Sequence, residues 1–261
     1  MSWNAVRHGS TSLNQFAKDL YMKHAYAFLL VFACLIFAPS SSVAAPITLP
    51  PGLNSGDQYR LVFVTSATTD ALSSDIADYN AFVTAAASAV PELAALGTTW
   101  AAIGSTTTVD ARDNTGTNPL LSAGVPMFRL DGVKVADDNA DLWDGSPDAP
   151  INVNELGNAH GPSTIVWTGT LTNGTAQMPF ANQLGSSNAL NGYPGDFPPG
   201  TEYNWIQDYS PAASDEPGSL YAISGVITAV PEPSSYVLAA LGAITLAFFQ
   251  CRKVRSECVA C

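Results

Sequence analysis

The chain has 261 residues, 47% of them apolar, and a formal net charge of −12. That length allows one ordinary domain with terminal extensions, and that apolar content excludes disorder through want of a core. Between Pro46 and Pro233 only Arg60, Arg112, Arg129 and Lys134 are basic, against twenty acidic residues, and a stretch carrying −16 argues against binding to phosphate backbones.

The first element in chain order is an address. Lys18 and Lys23 precede an apolar run, AYAFLLVFACLIFA at 25–38, and the small residues of PSSSVAAP follow. This is the layout of a secretory signal peptide over residues 1–44, with cleavage expected after Ala44. Fourteen apolar residues are short for a bilayer span of about 20, which favours removal over anchoring.

The exported body is expected at 46–229. YRLVFVT at 59–65 predicts a largely buried strand, being β-branched and aromatic between two turn-rich flanks. Ile76, Tyr79, Val83, Ala86 and Val90 follow helical spacing, with Ser73 or Ser74 as cap and Pro91 as terminator. TTWAAIG at 98–104 reads as a strand in preference to a short helix. PMFRLDGVKVA at 126–136 predicts a hairpin with a type I′ turn at Asp131-Gly132. TIVWTGTL at 164–171 predicts a further strand turned by Asn173-Gly174, and SLYAISGVIT at 219–228 a last one. Long loops are expected at 137–161, 177–200 and 206–218. The order of these elements gives an α+β fold. Cys34 lies in the first apolar run, and Cys251, Cys258 and Cys261 lie at or beyond the last, so the body contains neither a disulfide nor a thiolate metal site.

The end of the chain is a second address. Pro231-Glu232-Pro233 precedes an uncharged run expected to form a transmembrane helix over 235–250. Arg252, Lys253 and Arg255 follow, and the positive-inside rule keeps them cytoplasmic. The two prolines hold the motif extended, a form suited to capture by a processing enzyme. VPEPSS, the apolar span and the basic cluster, in that order over residues 230–261, resemble the PEP-CTERM sorting signal of bacterial exported proteins. The resemblance implies recognition at Pro231, Glu232 and Pro233 by an exosortase, an intramembrane transpeptidase-like enzyme. With signal peptidase acting at the other end, it implies transient inner-membrane anchoring and then delivery to the cell envelope or beyond. This sequence departs from the pattern in its short span and in the SECVAC that trails the basic cluster.

A second resemblance covers roughly residues 59–228. ALGTTWAAIGSTTTVDARD, then ADLWDG with PINVNELG, then VWTGTLTNGT, are similar to a bacterial family of surface domains of unknown function with a C-type-lectin-like fold. It implies a short antiparallel sheet, one or two helices and long ligand-presenting loops. Cysteines usual in that family's C-terminal half are missing here.

Residues 137–155 hold the densest set of oxygen ligands: Asp137, Asp138, Asp141, Asp144 and Asp148 with Asn139, Asn152, Asn154 and Glu155. Calcium takes about six to eight such oxygens. The segment is not an EF-hand, since Leu142 stands where that loop needs Gly and Asp148 where it needs Glu. Asp141, Asp144, Asn152 and Glu155 are the candidate metal ligands, against the alternative of a solvated loop whose Asp and Asn serve turns and caps. Trp100 and Trp167 sit in strand-like apolar surroundings and are expected in the core. Trp143 and Trp205 sit among polar residues and are candidates for stacking on a sugar ring. No catalytic residue is assigned: His160 is the body's one histidine, and no G-x-S-x-G elbow is present. The expected role is therefore a non-enzymatic binding or structural one, with polysaccharide as the candidate partner and calcium as the candidate cofactor. The alternatives are a glycoside-active enzyme working through paired carboxylates and a ligand-free coat protein.

Overall fold

A computed structural model describes residues 48–161, 164–177, 181–195, 202–208 and 210–230. All of these belong to a compact unit, Ala44–Cys261, that is separate from Met1–Val43. The expected signal peptide, the tripeptide Pro231-Glu232-Pro233, the span at 235–250 and the basic residues Arg252, Lys253 and Arg255 lie outside the described residues. Among the described residues, no helix is long and apolar enough to cross a membrane.

In chain order the elements are β1 (Gln58–Val64), α1 (Ile76–Ser88), α2 (Pro91–Ala94), β2 (Trp100–Ala102), α3 (Ala111–Asn114), β3 (Met127–Arg129), β4 (Lys134–Ala136) and α4 (Asn139–Leu142). There follow β5 (Val166–Trp167), β6 (Asn188–Ala189), β7 (Asn191–Gly192), a 3₁₀ turn at Glu202–Trp205, β8 (Ala212–Ala213), β9 (Ser219–Ser224) and β10 (Ile227–Thr228). This is a mixed α/β fold with few helices.

The spine is the antiparallel pair β1–β9, in the register Val62 to Ile223, Phe63 to Ala222 and Val64 to Tyr221. On the far side of β1 lies β3, parallel to it, and β4 closes that flank antiparallel. The far side of β9 is shared: β2 pairs antiparallel with its second half, and β5 pairs parallel with Ser219 and Leu220. β7 then adds to β5, and β10 to the start of β1, so the sheet has eight strands and curls. β6 and β8 form a separate ribbon.

Successive side chains of a strand point to opposite faces, and here both faces are covered. Leu61 and Phe63 join Trp100, Trp167, Leu220 and Ala222 on the face where α1 packs with Tyr79, Val83 and Ala87. Val62 and Val64 join Met127, Val135, Leu142, Tyr221 and Ile223 on the other. Each such side chain, taken fully out of water, contributes roughly 1.5–3 kcal/mol before entropy is subtracted. Trp100 and Trp167 are core residues, as expected, and Phe63 meets Trp100 edge-on at 5.1 Å between centroids.

Three local expectations are corrected. Helix α1 is capped by Asp75, whose Oδ1 accepts from the Ala77 N–H at 2.9 Å. Ser73 stands one step back, accepting from the Asp75 N–H and donating to the Asp78 carboxylate at 2.6 Å. The 3-to-4 spacing also overruns the helix: α1 ends at Ser88, and Pro91 opens α2, where its missing N–H leaves nothing unsatisfied. The hairpin at 126–136 forms, but not with a type I′ turn, because Gly132 (φ +82°) has positive φ and Asp131 does not. The Arg129 N–H instead donates to Val133 O and the Gly132 N–H to Arg129 O, closing a three-residue loop with glycine in the left-handed position. Asp131 braces the loop, its Oδ1 accepting from the Val133 N–H two residues on. The Asn173-Gly174 turn repeats the arrangement, with Leu171 and Thr175 closing it and Asn173 Oδ1 accepting from the Thr175 N–H.

Candidate functional site

The acidic segment after β4 is organised by its own side chains. Asp138 caps α4, its Oδ1 accepting from the Ala140 and Asp141 N–H groups at 2.8 and 3.0 Å. The capped turn brings Asp141 back to the Asp137 N–H, which it accepts at 2.6 Å. The chain then returns through Asp148, whose N–H donates to Val135 O on β4. Carboxylate oxygens of Asp137, Asp141 and Asp148 thereby lie within 4.8 Å of one another. Lys134 reaches the same point, paired with Asp137 and, at 3.1 Å, with Asp148. Hydrogen bonds first to Asp137 and then to Asp148 hold its ammonium above the usual lysine range.

Of the four candidate metal ligands, only Asp141 belongs to this cluster. Asp144 Oδ1 accepts from the Ser146 N–H at 2.8 Å, an Asx turn that keeps it local. Asn152 Oδ1 accepts from Arg129 Nη1 at 2.6 Å, and the same guanidinium pairs with Asp131 and bonds Pro150 O. Glu155 is buried, 6% exposed, and accepts from both the N–H and the hydroxyl of Ser66. The fold thus brings Asp137 and Asp148 to Asp141, and sends Asp144, Asn152 and Glu155 to three other tasks. Asn154 closes the following turn, accepting from the Leu156 and Asn158 N–H groups at 3.0 Å. A divalent cation meeting the three clustered carboxylates meets the Lys134 ammonium with them.

Trp143 and Trp205 are not ligand-facing in this structure. Trp143 is 5% exposed, and its Nε1 donates to both the carbonyl and the hydroxyl of Thr117. Trp205 is fully buried, 6.1 Å from Trp143 and 5.8 Å from Tyr221 between ring centroids. The two rings are the centre of the second core, and neither offers a face on which a sugar ring can stack. The polar residues beside Trp143 in sequence point outward because α4 is a single turn, which turns Leu142 and Trp143 in while Asp144 stays out.

His160 lies at the far end of the segment, its N–H donating to Asn152 O and its Nε2 at 3.4 Å from Ser219 Oγ. Burial holds its imidazole below the usual histidine range, against the opposing charge of Glu155. Ser219 is fully buried on β9, so its hydroxyl serves the packing of this loop against the sheet.

At the other end of the body the chain leaves through a fixed point. The Ala229 N–H donates to Asp57 O at 2.7 Å and Ala229 O accepts from the Gly56 N–H at 2.9 Å, so the backbone is pinned beside the start of β1. Residues 229–253 match the PEP-CTERM protein-sorting motif. Among curated proteins no match to the chain is found. The sorting motif makes this an exosortase substrate, exported through a membrane-anchored stage and associated with the cell surface.

Proposed function

We propose that the chain is a non-enzymatic binding protein of the cell surface, whose lectin-like body is carried out by its C-terminal signal to engage extracellular polysaccharide. The observation that carries this reading is the junction at Ala229. The sorting motif begins where β10 has just closed against β1, so body and signal abut and the body is the cargo. A cysteine-free core covered on both faces of its sheet suits a domain that must hold its shape outside the cell unaided. The strands are short and the loops between them long, and loops on a fixed sheet are where recognition is usually placed.

The burial of Trp143 and Trp205 favours a second reading, a coat or spacer protein without a ligand. Retention on immobilised polysaccharides separates the two. The full chain, with calcium and again with chelator, is expected to be held by at least one bacterial polysaccharide. A chain held by none, and not stabilised against heat by any, is a coat protein.

A further inference from the structure

Among the described residues, three of the four basic side chains are paired with carboxylates: Arg112 with Asp110, Arg129 with Asp131, and Lys134 with Asp137 and Asp148. Arg60 is the exception. It projects from β1, is 9% exposed, and is surrounded by carbonyls. Its Nη1 donates to Thr115 O at 2.8 Å and to Ser224 O at 2.9 Å, and its Nη2 to Gly116 O at 3.3 Å. The Nε–H, buried, meets no acceptor. A guanidinium carries five N–H donors, so two are left over, Nε–H and one on Nη2. Buried arginines ordinarily come with an anion, because carbonyl dipoles solvate the charge without neutralising it. Desolvation accordingly holds this guanidinium below its usual range.

Arg60 also lines a cleft of about 290 Å³ between the sheet and the loop that follows α3. Ala101 and Ile223 supply its apolar wall, Thr99 a hydroxyl, and Asp113 stands on the other side from the sheet. Asp113 is exposed and spends one oxygen, accepting from Asn118 Nδ2 at 2.6 Å. The second oxygen remains for a donor from outside. The cleft therefore offers the Arg60 guanidinium to a carboxylate, the free Asp113 oxygen to a hydroxyl and a small apolar wall.

We propose that this cleft binds a sugar acid, a hydroxylated ring carrying a carboxylate such as one uronic-acid residue of an acidic polysaccharide, with Arg60 receiving the carboxylate and Asp113 a ring hydroxyl. Charged hydrogen bonds of an arginine to a carboxylate are about twice as strong as neutral ones, which makes the acid group the anchor. The volume holds one such ring and not a chain of them, so a polymer is gripped at a single residue. This rests on the polysaccharide-binding reading and narrows its ligand.

The test is calorimetric titration of the full chain, purified in mild detergent, with D-glucuronate, D-glucose and acetate. Glucuronate is expected to bind saturably and about tenfold or more tighter than either other probe. Equal binding of glucose overturns the role of Arg60, and equal binding of acetate overturns the role of the ring. Arg60→Lys keeps the charge but not the fork, and is expected to lose about tenfold in glucuronate affinity. Arg60 ties three carbonyls together, so the variant that leaves the fold alone is Thr99→Phe, an exposed position whose new ring fills the mouth of the cleft. Its melting temperature is expected to stay unchanged while glucuronate affinity falls about tenfold or more; undiminished binding in it overturns the proposal. A chain held by neutral polysaccharides but indifferent to glucuronate loses this inference and keeps the wider reading, whereas one indifferent to both loses both.

Discussion

The pair β1–β9 and the segment 137–155 are held by opposite means. The strands are buried on both faces, with Leu61, Val62, Phe63 and Val64 all at 0% exposure and packed into the two apolar cores. The segment owes its shape to carboxylates and amides bonded to nearby backbone: Asp138 on α4, Asp141 on Asp137, Asp144 on Ser146, Asn154 on Leu156 and Asn158. Apolar packing is indifferent to pH and adds up over the whole sheet, whereas each polar contact is local and replaceable. The strands therefore draw their stability from the two cores, whereas the capping bonds of the segment, as distinct from its buried Leu142, Trp143, Ile151 and Val153, set the form of its surface.

The largest effect that sharpens this contrast is at Trp205. Trp205→Ala removes a fully buried ring from the second core, and urea denaturation is expected to show a loss of about 3–5 kcal/mol. In the acidic segment, Asp138→Ala removes the cap of α4 and is expected to cost about 1 kcal/mol by the same assay. A loss at Asp138 as large as that at Trp205 would erase the distinction between the two regions. Smaller still is Tyr221→Phe. Burial raises the pKa of this fully buried phenol, and its hydroxyl has no hydrogen-bond partner, so removing it is expected to leave stability unchanged or slightly improved.

The smallest effect is in pH. The His160 imidazole has a folded-state pKa lowered by burial, so the unfolded chain binds the more protons between that value and the ordinary 6.5. Its contribution is thus fully present above pH 6.5 and declines as pH falls toward the folded value. In His160→Gln, thermal unfolding followed from pH 5 to 7 is expected to lose this slope; an unaltered slope would assign it to other groups.

The same contrast explains what could be seen in the amino-acid sequence. YRLVFVT and SLYAIS announce themselves because a strand buried on both faces must be apolar throughout, and Trp100 and Trp167 sit in such runs. The sorting motif is legible for another reason: it is read as a linear string, and needs no folding to be recognised. The acidic segment was not legible in the same way. Counting oxygens cannot tell a ligand from a cap, and the partners of Asn152 and Glu155, Arg129 and Ser66, stand 23 and 89 residues away. Lys134 lies just before the segment, yet its place among the carboxylates follows from the fold of α4. Trp143 and Trp205 misled because their sequence neighbours are polar, and a one-turn helix and a 3₁₀ turn can point an aromatic inward from polar surroundings. Arg60 gave no signal at all. A lone arginine in an apolar strand becomes notable only when its three carbonyl partners, two just after α3 and one at the end of β9, are in place.

The account depends on the body being cargo for the C-terminal signal, and mass spectrometry of the chain recovered from fractionated cells tests that most directly. In the envelope or medium, the account predicts a polypeptide that retains the body and lacks the tail beyond the motif at residues 229–253. A full-length polypeptide found free in the cytosol, with residues 1–44 and Arg252 to Cys261 still attached, would contradict it.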